Sequence, residues 1–310
     1  MFTAKAPTRL DFGGGWTDVP PFPEERGGFV CSVAITRYAT AALTPGSRVR
    51  GSDSLLCDAA LRRAGLDDVQ LEVTSDFPVG SGLGGSSAAG VAAAAVLAAH
   101  RNDSMSPAAL AEWSRAVEAE EMGIAGGRQD HYAAAFGGAL GIRFEGETTV
   151  ERIALGGDAA ASLERRCILA YTGESRISAD TITAVLDGYL ARDGKIVSAL
   201  ERMKSLALSM RDALRGGDID TLASLVDEHW RHQRSLHPRI STPRIDALEQ
   251  AARAAGARGM KALGASGGGC VIVFANDADV EGVQRAIAPY ASVMDWGVSH
   301  EGVTLRTQPE

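Results

Sequence analysis

The sequence feature that most constrains the fold of this chain is a glycine-rich run from Pro78 to Ser87. Residues 69–75 before it alternate between apolar and polar side chains, as a strand does, and residues 88–100 after it have helical composition. Glycines allow a tight turn and a close approach to a ligand, and the first turn of a helix offers unpaired N–H groups to an anion. The hydroxyl of Ser86 or Ser87 can add a ligand for a phosphate or for Mg²⁺. The run therefore predicts an anion site at a helix N-terminus.

Two familiar phosphate-binding loops do not fit this run. A Walker A loop needs Gly-Lys-Ser or Gly-Lys-Thr, and no lysine follows the glycines here. The letters GSGLGG imitate a dinucleotide fingerprint, but that fold places an acidic residue about 20 residues further on. The stretch from Ala98 to Asp103 offers only Asp103, which is expected in a turn. Both assignments are therefore disfavoured.

Composition and charge narrow the class of protein. The chain has 310 residues and a net charge of −8, with 45% hydrophobic and 23% charged residues. These values are typical of a soluble globular protein that is large enough for two modest lobes or one large domain. Nucleic-acid binding calls for a basic stripe and is not expected. An anionic substrate would need a local cluster of Arg, Lys and backbone N–H groups.

The cysteine and apolar patterns exclude further classes. The four cysteines lie far apart and form no CxxC pair, so neither a zinc site nor a disulfide framework is expected. Lys5 and Arg9 are followed by Asp11 and glycines rather than by an apolar signal segment. The longest apolar stretch, Ala88 to Ala99, has 12 residues and is too short to span a bilayer. We expect a reduced, cytoplasmic protein that does not enter a membrane.

The order of the predicted elements indicates an α+β fold in two lobes. Strands are predicted over residues 69–75, 138–144, 167–171 and 270–275, and helices over 107–122, 180–191, 196–215, 219–234 and from 243 onward. Ser106-Pro107 and Thr242-Pro243 both indicate helix starts, with the hydroxyl as the N-cap. The turn at Gly156-Gly157 is the expected boundary between a first lobe, residues 1–157, and a second lobe, residues 158–310.

Three segments together resemble the GHMP kinase superfamily, which includes galactokinase, homoserine kinase and mevalonate kinase. The first is APTRLDFGGGWTD at 6–18, the second is the loop at 78–87, and the third is KALGASGGGC at 261–270. The resemblance implies a two-lobed fold with a ribosomal S5-like N-terminal domain, a ferredoxin-like C-terminal domain and a nucleotide site between the lobes. It also implies ATP and Mg²⁺ as cofactors.

Shorter matches resemble one branch of that family, the heptose 7-phosphate kinases and the kinase part of fucokinases. They are GGRQDHY and FGG within residues 126–138, YTGESR at 171–176, DEHW at 227–230 and STPRID at 241–246. The branch implies phosphorylation of the anomeric (C1) hydroxyl of a sugar phosphate, in the first place D-glycero-D-manno-heptose 7-phosphate. An L-fucose-like free sugar, a cyclitol, or a non-catalytic sensor of sugar and ATP remain open, as does a homodimer. Trp16, Ser266 and His131 depart from the residues usual in the heptose kinases, and Trp16 is closer to the fucokinase form.

Asp130 is the residue that the resemblance places as the catalytic base. It follows a Gly-Gly turn and lies beside Arg128, although it could instead be the N-cap of a helix over 131–136. Arg9, in the first motif, would stabilise charge on the transferred phosphoryl group or lower the pKa of Asp130. The alternative for Arg9 is a surface arginine.

Glu118 matches the family's metal-binding glutamate, with Ser86 as the partner ligand and Ser87 close behind. Glu120 and Glu121 compete for that role, and a solvated acidic helix face is the alternative for all three. Mg²⁺ usually keeps waters and substrate phosphates as ligands, so one carboxylate and one hydroxyl suffice.

The other candidate residues fall into three groups that the resemblance defines. The substrate group is Gly15, Trp16, Asp18, Arg128, Thr172 and Arg176. In that group Asp18 would accept hydrogen bonds from sugar hydroxyls, and Trp16 could instead belong to the core. Arg176, Arg128 or Arg244 would bind a substrate phosphate. The ATP group is Pro78, Gly80, Ser81, Gly82, Leu83, Gly84, Gly85, Ser86 and Ser87, and the C-terminal glycine motif is Gly264, Gly267, Gly268 and Gly269.

Overall fold

The computed structural model describes residues 1–46, 55–123, 126–174 and 179–307. Strands and helices are both numerous, which confirms the predicted α+β class. The strands are β1 (Phe2–Gly13), β2 (Gly28–Pro45), β3 (Val69–Ser75), β4 (Ala139–Glu145), β5 (Glu147–Ile153), β6 (Cys167–Tyr171), β7 (Gly259–Ala262), β8 (Cys270–Phe274), β9 (Ser292–Met294) and β10 (Thr304–Thr307). The helices are α1 (Phe22–Arg26), α2 (Leu55–Ala64), α3 (Gly85–His100), α4 (Pro107–Ala116), α5 (Gln129–Phe136), α6 (Gly157–Arg166), α7 (Ala179–Leu190), α8 (Gly194–Gly216), α9 (Ile219–Ser235), α10 (Pro243–Ala254) and α11 (Val280–Ile287).

The first sheet is antiparallel and has the order β10-β1-β2-β4-β5, with β3 paired to another part of β2. Helix α3 packs on β1 and β2 and is apolar around its whole circumference, which is expected of a helix surrounded by protein. Its small residues permit this close packing: a Cβ built on Gly90 would lie 2.2 Å from Oγ of Ser114 in α4. The sheet and the buried helix therefore fix the two ends of the loop that joins β3 to α3.

The second sheet is also antiparallel and has the order β7-β8-β6-β9. Its inner strand β8 is buried along its whole length. Helices α8 and α9 pack against each other, and α9 packs on β7. Trp230 of α9 and Tyr189 of α7 are among the largest fully buried side chains of this half.

The strands predicted at 69–75 and 167–171 are confirmed, and the predicted helices of the second half begin and end within two residues of the observed ones. Both predicted N-caps are present: Oγ of Ser106 accepts from N–H of Ala109, and Oγ1 of Thr242 accepts from N–H of Ile245. The helix predicted over 107–122 is not a single α-helix, because α4 continues into a π-helical turn at Val117–Glu121.

The division into lobes at residue 157 stays a prediction. The chain passes from the first sheet to the second between Ile153 and Cys167, around helix α6. Strand β10, however, comes from the second half of the chain and joins the first sheet through β1. None of the helices in the described ranges is long and apolar enough to cross a membrane.

Candidate active site

The glycine-rich loop has the backbone that its composition predicts. Gly80, Gly82 and Gly84 have φ angles of 71°, 74° and 76°, a region that residues with a Cβ rarely adopt. Helix α3 begins at Gly85, and no side chain caps its first turn. The N–H groups of that turn are therefore available to an anion, and the helix dipole favours negative charge there.

Two of these glycines also lie too close to other segments to carry a side chain. A Cβ built on Gly82 would lie 2.7 Å from the carbonyl oxygen of Leu263, and one built on Gly84 would lie 2.9 Å from Cγ of Asp130. The N–H of Cys270 donates to the carbonyl of Ser81 over 2.7 Å. The loop is therefore held between helix α5 and the glycine motif that precedes β8.

The C-terminal glycine motif has left-handed backbone at each predicted glycine. The φ angles of Gly264, Gly267, Gly268 and Gly269 are 66°, 87°, 140° and 80°. Ser266, which replaces a glycine of the family motif, also has a positive φ of 71°, and its hydroxyl donates to the carbonyl of Ile240. Thr172 donates its hydroxyl to the carbonyl of Gly269 over 2.8 Å. Thr172 thus supports the glycine motif and is not among the described residues that line the cavity beside Arg9 and Asp130.

Arg9 and Asp130 form a close ion pair beside the loop. Nε and Nη2 of Arg9 both lie 2.8 Å from Oδ1 of Asp130, and Nη1 donates to the carbonyl of Gly82 over 2.6 Å. The side chain of Arg9 is 3% exposed and that of Asp130 is 24% exposed. Asp130 lies inside the first turn of α5, and the N-cap position belongs to Arg128, so the capping alternative for Asp130 does not apply. Arg9 is not a surface arginine.

Glu118 lies beside the first turn of α3. Oγ of Ser86 donates to Oε1 of Glu118 over 2.5 Å, and Nε2 of His131 lies 3.1 Å from Oε2. Burial alone would raise the pKa of Glu118, but the hydrogen bond and charge of His131, with the hydroxyls of Ser86 and Ser87, hold it below its usual value. Glu118 is therefore an ionised carboxylate next to the loop.

The two competing glutamates point elsewhere. Oε2 of Glu120 lies 2.8 Å from Nη1 of Arg63, and Oε1 of Glu121 lies 3.8 Å from the same nitrogen. Both therefore face helix α2. Of the three acidic residues in the π-helical turn, Glu118 is the one that contacts a loop serine.

A cavity of about 180 Å³ adjoins Arg9 and Asp130. Its wall includes three predicted substrate residues, Gly15, Trp16 and Asp18, and also Gly264 of the C-terminal motif. The wall combines backbone from the first motif with residues of α5 and of the C-terminal motif. It therefore brings together segments that are widely separated in the sequence.

Trp16 belongs both to the cavity wall and to the core. Its side chain is buried and packs in an apolar cluster that includes Phe22 and Ile168. Its φ angle is 80°, and its indole Nε1 has no hydrogen-bond partner among the described residues. The two alternatives for Trp16 are therefore not exclusive.

Asp18 is buried in the same wall. One carboxylate oxygen accepts from the backbone N–H of Gln129 over 3.0 Å, and a Cβ built on Gly127 would lie 2.0 Å from that oxygen. Burial, with repulsion from Asp130 and Asp11, raises the pKa of Asp18 from 3.8 to about 6. The carboxyl is therefore ionised at neutral pH but takes up a proton in mild acid.

Sequence reasoning missed a buried ion pair, Lys261 with Asp11, although both residues stand inside motifs. Nζ of Lys261 lies 3.0 Å from Oδ2 of Asp11 and donates to the Asp11 carbonyl over 2.8 Å. Burial alone would raise the pKa of Asp11, but the charges of Lys261 and Arg9 hold it below its usual value. The pair joins β1 to β7 and places Asp11 in the cavity wall. A lysine within the otherwise apolar strand β7 was the available signal.

His229 holds the glycine turn of the first motif. The N–H of Gly14 donates to Nε2 of His229 over 2.9 Å. Burial and the nearby Lys261 keep the pKa of His229 well below its usual value, so the ring is neutral. Gly14 has a φ of 90°, and a Cβ built on it would lie 1.9 Å from the carbonyl oxygen of Phe29. The turn is therefore fixed from both sides.

Arg128 and Arg244, two of the three arginines proposed for a substrate phosphate, are not among the described residues of the cavity wall. Arg128 lies 3.3 Å from a carboxylate oxygen of Glu24. Arg244 donates to the carbonyl of Tyr290 over 2.6 Å. Arg176 lies outside the described residues.

The chain is similar in sequence to known proteins. The sequence matches the family models described as GHMP kinases N terminal domain, over residues 54–138, and GHMP kinases C terminal, over residues 210–291. The D-glycero-alpha-D-manno-heptose 7-phosphate kinase of Campylobacter jejuni is 27% identical, over 96% of this chain and 97% of its own length. The bifunctional fucokinase/GDP-fucose pyrophosphorylase of Arabidopsis thaliana is 27% identical over 88% of this chain, which spans only 30% of the length of that protein.

Solved structures share the fold. The crystal structure of a D-glycero-D-manno-heptose 1-phosphate kinase from Bacteroides thetaiotaomicron superposes with a TM-score of 0.81 at 22% identity and covers 100% of both chains. One family model matches a segment in each half of the chain, and a relative matches the chain over nearly its full length. These findings show that the chain belongs to the GHMP kinase family.

Proposed function

We propose that this GHMP kinase is a sugar kinase that transfers the γ-phosphoryl group of ATP to the anomeric hydroxyl of a sugar phosphate. The first candidate for the acceptor is D-glycero-D-manno-heptose 7-phosphate. The observation that carries the proposal is the position of Asp130, which lines the cavity and whose Cγ would lie 2.9 Å from a Cβ built on Gly84 of the loop. A carboxylate in that place can take the proton of a hydroxyl in the cavity while the phosphoryl group is transferred from ATP held by the loop.

The loop fits the phosphates of a nucleotide. At Gly82 and Gly84 the backbone has positive φ and no room for a Cβ, so the loop presents bare N–H groups. The uncapped first turn of α3 adds further N–H groups and the positive end of the helix dipole. Residues 78–87 are therefore our proposed ATP cradle, with residues 264–269 packed against it.

The donor set beside the loop fits Mg²⁺. Ser86 and Glu118 supply a hydroxyl and a carboxylate, and Mg²⁺ prefers oxygen ligands and keeps several waters and substrate phosphates. Within the described ranges, no group of three or more His, Cys, Asp or Glu side chains could hold a metal ion alone. This favours an ion shared with the phosphates, where it would neutralise charge during transfer.

Arg9 and Asp18 would act on either side of Asp130. Arg9 bonds to Oδ1 of Asp130, which leaves Oδ2 for the proton of the acceptor hydroxyl. Its guanidinium also lies beside the loop, where it can stabilise negative charge on the phosphoryl group during transfer. Asp18 would accept hydrogen bonds from sugar hydroxyls in the cavity and hold the acceptor in line.

A free sugar such as L-fucose is the second candidate acceptor. It is supported by the fucokinase relative, whose identity to this chain equals that of the heptose 7-phosphate kinase. Trp16, which resembles the fucokinase form of the first motif, lies in the cavity wall. The choice of acceptor therefore needs a direct measurement.

The test is a substrate panel with ATP and Mg²⁺, read by phosphorus NMR. The panel contains D-glycero-D-manno-heptose 7-phosphate, the free heptose, L-fucose and a cyclitol. We expect a new anomeric phosphate signal with the heptose 7-phosphate and no signal in the Asp130→Asn variant.

Other outcomes of the panel would overturn parts of the proposal. Reaction of free sugars alone would replace the sugar phosphate by the second candidate. Full activity of Asp130→Asn would remove the assigned base. Stabilisation by sugar and ATP without any ADP release would indicate a sensor instead of an enzyme.

A further inference from the structure

The charges of the described residues of the cavity wall do not favour a phosphate. Three carboxylates, from Asp11, Asp18 and Asp130, belong to the wall, and Arg9 is the only cation among its described residues. Each of the three guanidinium nitrogens of Arg9 already makes one contact, two of them with Asp130 and one with the carbonyl of Gly82. A phosphate dianion on the acceptor would therefore meet three carboxylates and, among the described residues of the wall, one guanidinium that is already paired with Asp130. A neutral group rich in hydroxyls would not be repelled by them.

The wall also contains polar atoms that lack partners. Oδ1 of Asp11, Oε1 of Gln129 and Nε1 of Trp16 have no hydrogen bond within the described part of the chain. These residues are 2%, 8% and 7% exposed. Buried polar atoms are nearly always paired in folded proteins, so three unpaired ones in one cavity wall indicate that a ligand brings the partners.

Asp11 differs from the other two because it is charged and fixed. Lys261 engages its Oδ2 and its carbonyl, and this leaves Oδ1 as the remaining acceptor. Lys261 is fully buried on β7, so the pair cannot swing into solvent. A carboxylate held in this way is a strong acceptor for a hydroxyl.

We propose that Asp11, positioned by Lys261, is a second acceptor for acceptor-substrate hydroxyls beside Asp18. The cavity would then admit the uncharged, hydroxyl-rich part of the sugar, and any phosphate on the sugar would lie outside it. This inference rests on the proposed sugar kinase and states which part of the sugar enters the cavity.

The test measures binding without nucleotide, by isothermal titration calorimetry. The probes are D-glycero-D-manno-heptose, its 7-phosphate and L-fucose. Asp11→Leu combined with Lys261→Met removes the acceptor and its partner cation together, because apolar replacements of similar volume usually preserve a fold that held a buried ion pair. We expect the two heptose probes to lose affinity by the same factor, about 10- to 100-fold, the loss expected for a hydrogen bond to a charged group.

Two controls separate this effect from misfolding. Ser32→Ala removes a buried, unpartnered hydroxyl that does not line the cavity, and it is expected to leave all affinities unchanged. ATP binding by the double variant reports whether the loop is intact. If the double variant fails to fold, the wild-type protein is titrated instead with heptoses that each lack one hydroxyl. We expect the loss of either of at least two different hydroxyls to weaken binding, because Asp11 and Asp18 would each accept from a different one. If the loss of only one hydroxyl weakens binding, a second acceptor is excluded.

The outcomes distinguish this inference from the kinase function. Unchanged sugar affinity in the double variant, or a loss confined to the phosphorylated probe, overturns the inference even if phosphoryl transfer continues. Wild-type protein that binds none of the three probes overturns it as well. Binding that depends on Asp11 but never leads to transfer removes the kinase function and leaves the inference standing.

Discussion

The buried carboxylate of Asp18 predicts a variant that gains stability while it loses activity. Burial and two neighbouring carboxylates raise the pKa of Asp18 from 3.8 to about 6. The folded protein therefore binds this proton more tightly than the unfolded chain does. Asn at position 18 has the same shape, carries no charge and can still accept from the N–H of Gln129. Asp18→Asn should thus remove the free-energy cost of burying an ionised carboxylate and keep the local hydrogen bond.

The magnitude follows from the pKa difference. One unit corresponds to about 1.4 kcal/mol, so the ionised Asp18 lowers the free energy of unfolding by roughly 3 kcal/mol at about pH 7.5. This loss of stability is small at about pH 4, near the pKa of Asp18 in the unfolded chain. It grows as the pH rises and is nearly complete above about pH 6. Asp18→Asn should therefore gain roughly 3 kcal/mol at about pH 7.5 and about half as much at about pH 5.

The assay is urea unfolding followed by tryptophan fluorescence at both pH values. Asp11→Asn is the matched control, since it alters another buried aspartate of the same motif. It leaves Lys261 buried without its partner, and breaking such a pair costs roughly 3–5 kcal/mol. The two variants should therefore change stability in opposite directions. The reasoning would be refuted if both variants changed the free energy of unfolding in the same direction, or if the stability gained by Asp18→Asn were as large at about pH 5 as at about pH 7.5. Asp18→Asn should also bind the sugar more weakly.

Four further predictions address catalysis. Asp130→Asn should lower the single-turnover rate constant for phosphoryl transfer by about 10²- to 10⁴-fold and leave ATP binding unchanged, since a general base contributes that much. A wild-type rate would exclude Asp130 as the base. Glu118→Gln should raise the Mg²⁺ concentration needed for half-maximal rate, whereas Glu120→Gln, whose carboxylate pairs with Arg63, should not; equal effects in a Mg²⁺ titration would count against Glu118. Gly84→Ala should abolish turnover because its Cβ meets Asp130, while Gly146→Ala, with a φ of 68° and open space, should cost only about 1–2 kcal/mol of stability and no activity. The value of kcat/KM should fall as the pH drops below about 6, because protonated Asp18 loses an acceptor, and this limb of the pH profile should vanish in Asp18→Asn.

Local features were predictable where the signal lies in neighbouring residues. The alternation of 69–75, the glycines after it and the alanines of α3 specify a strand, a turn and a buried helix in that order. The Ser-Pro and Thr-Pro pairs located two helix starts because the N-cap hydroxyl bonds within its own turn. The motif resemblance supplied Arg9, Asp18 and Asp130, which the structure gathers around one cavity.

Features that depend on distant contacts were not predictable. Lys261 and Asp11 are 250 positions apart, and nothing in either segment alone specifies the other as its partner. The choice of Glu118 over Glu120 and Glu121 needed the contact with Ser86 from another helix. Helix propensity does not predict the π-helical turn that contains Glu118, because its sequence, VEAEE, is equally suited to an ordinary α-helix.

The pairing of β10 with β1 has a consequence for how this protein is made. Residues 2–5 pair with residues 304–307, so one edge of β1 stays unpaired until residues 304–307 have left the ribosome. An exposed strand edge is a template for pairing with other chains during that interval. Termination between residues 270 and 303 would leave the edge open permanently. Such fragments should aggregate even though every residue proposed for catalysis is present.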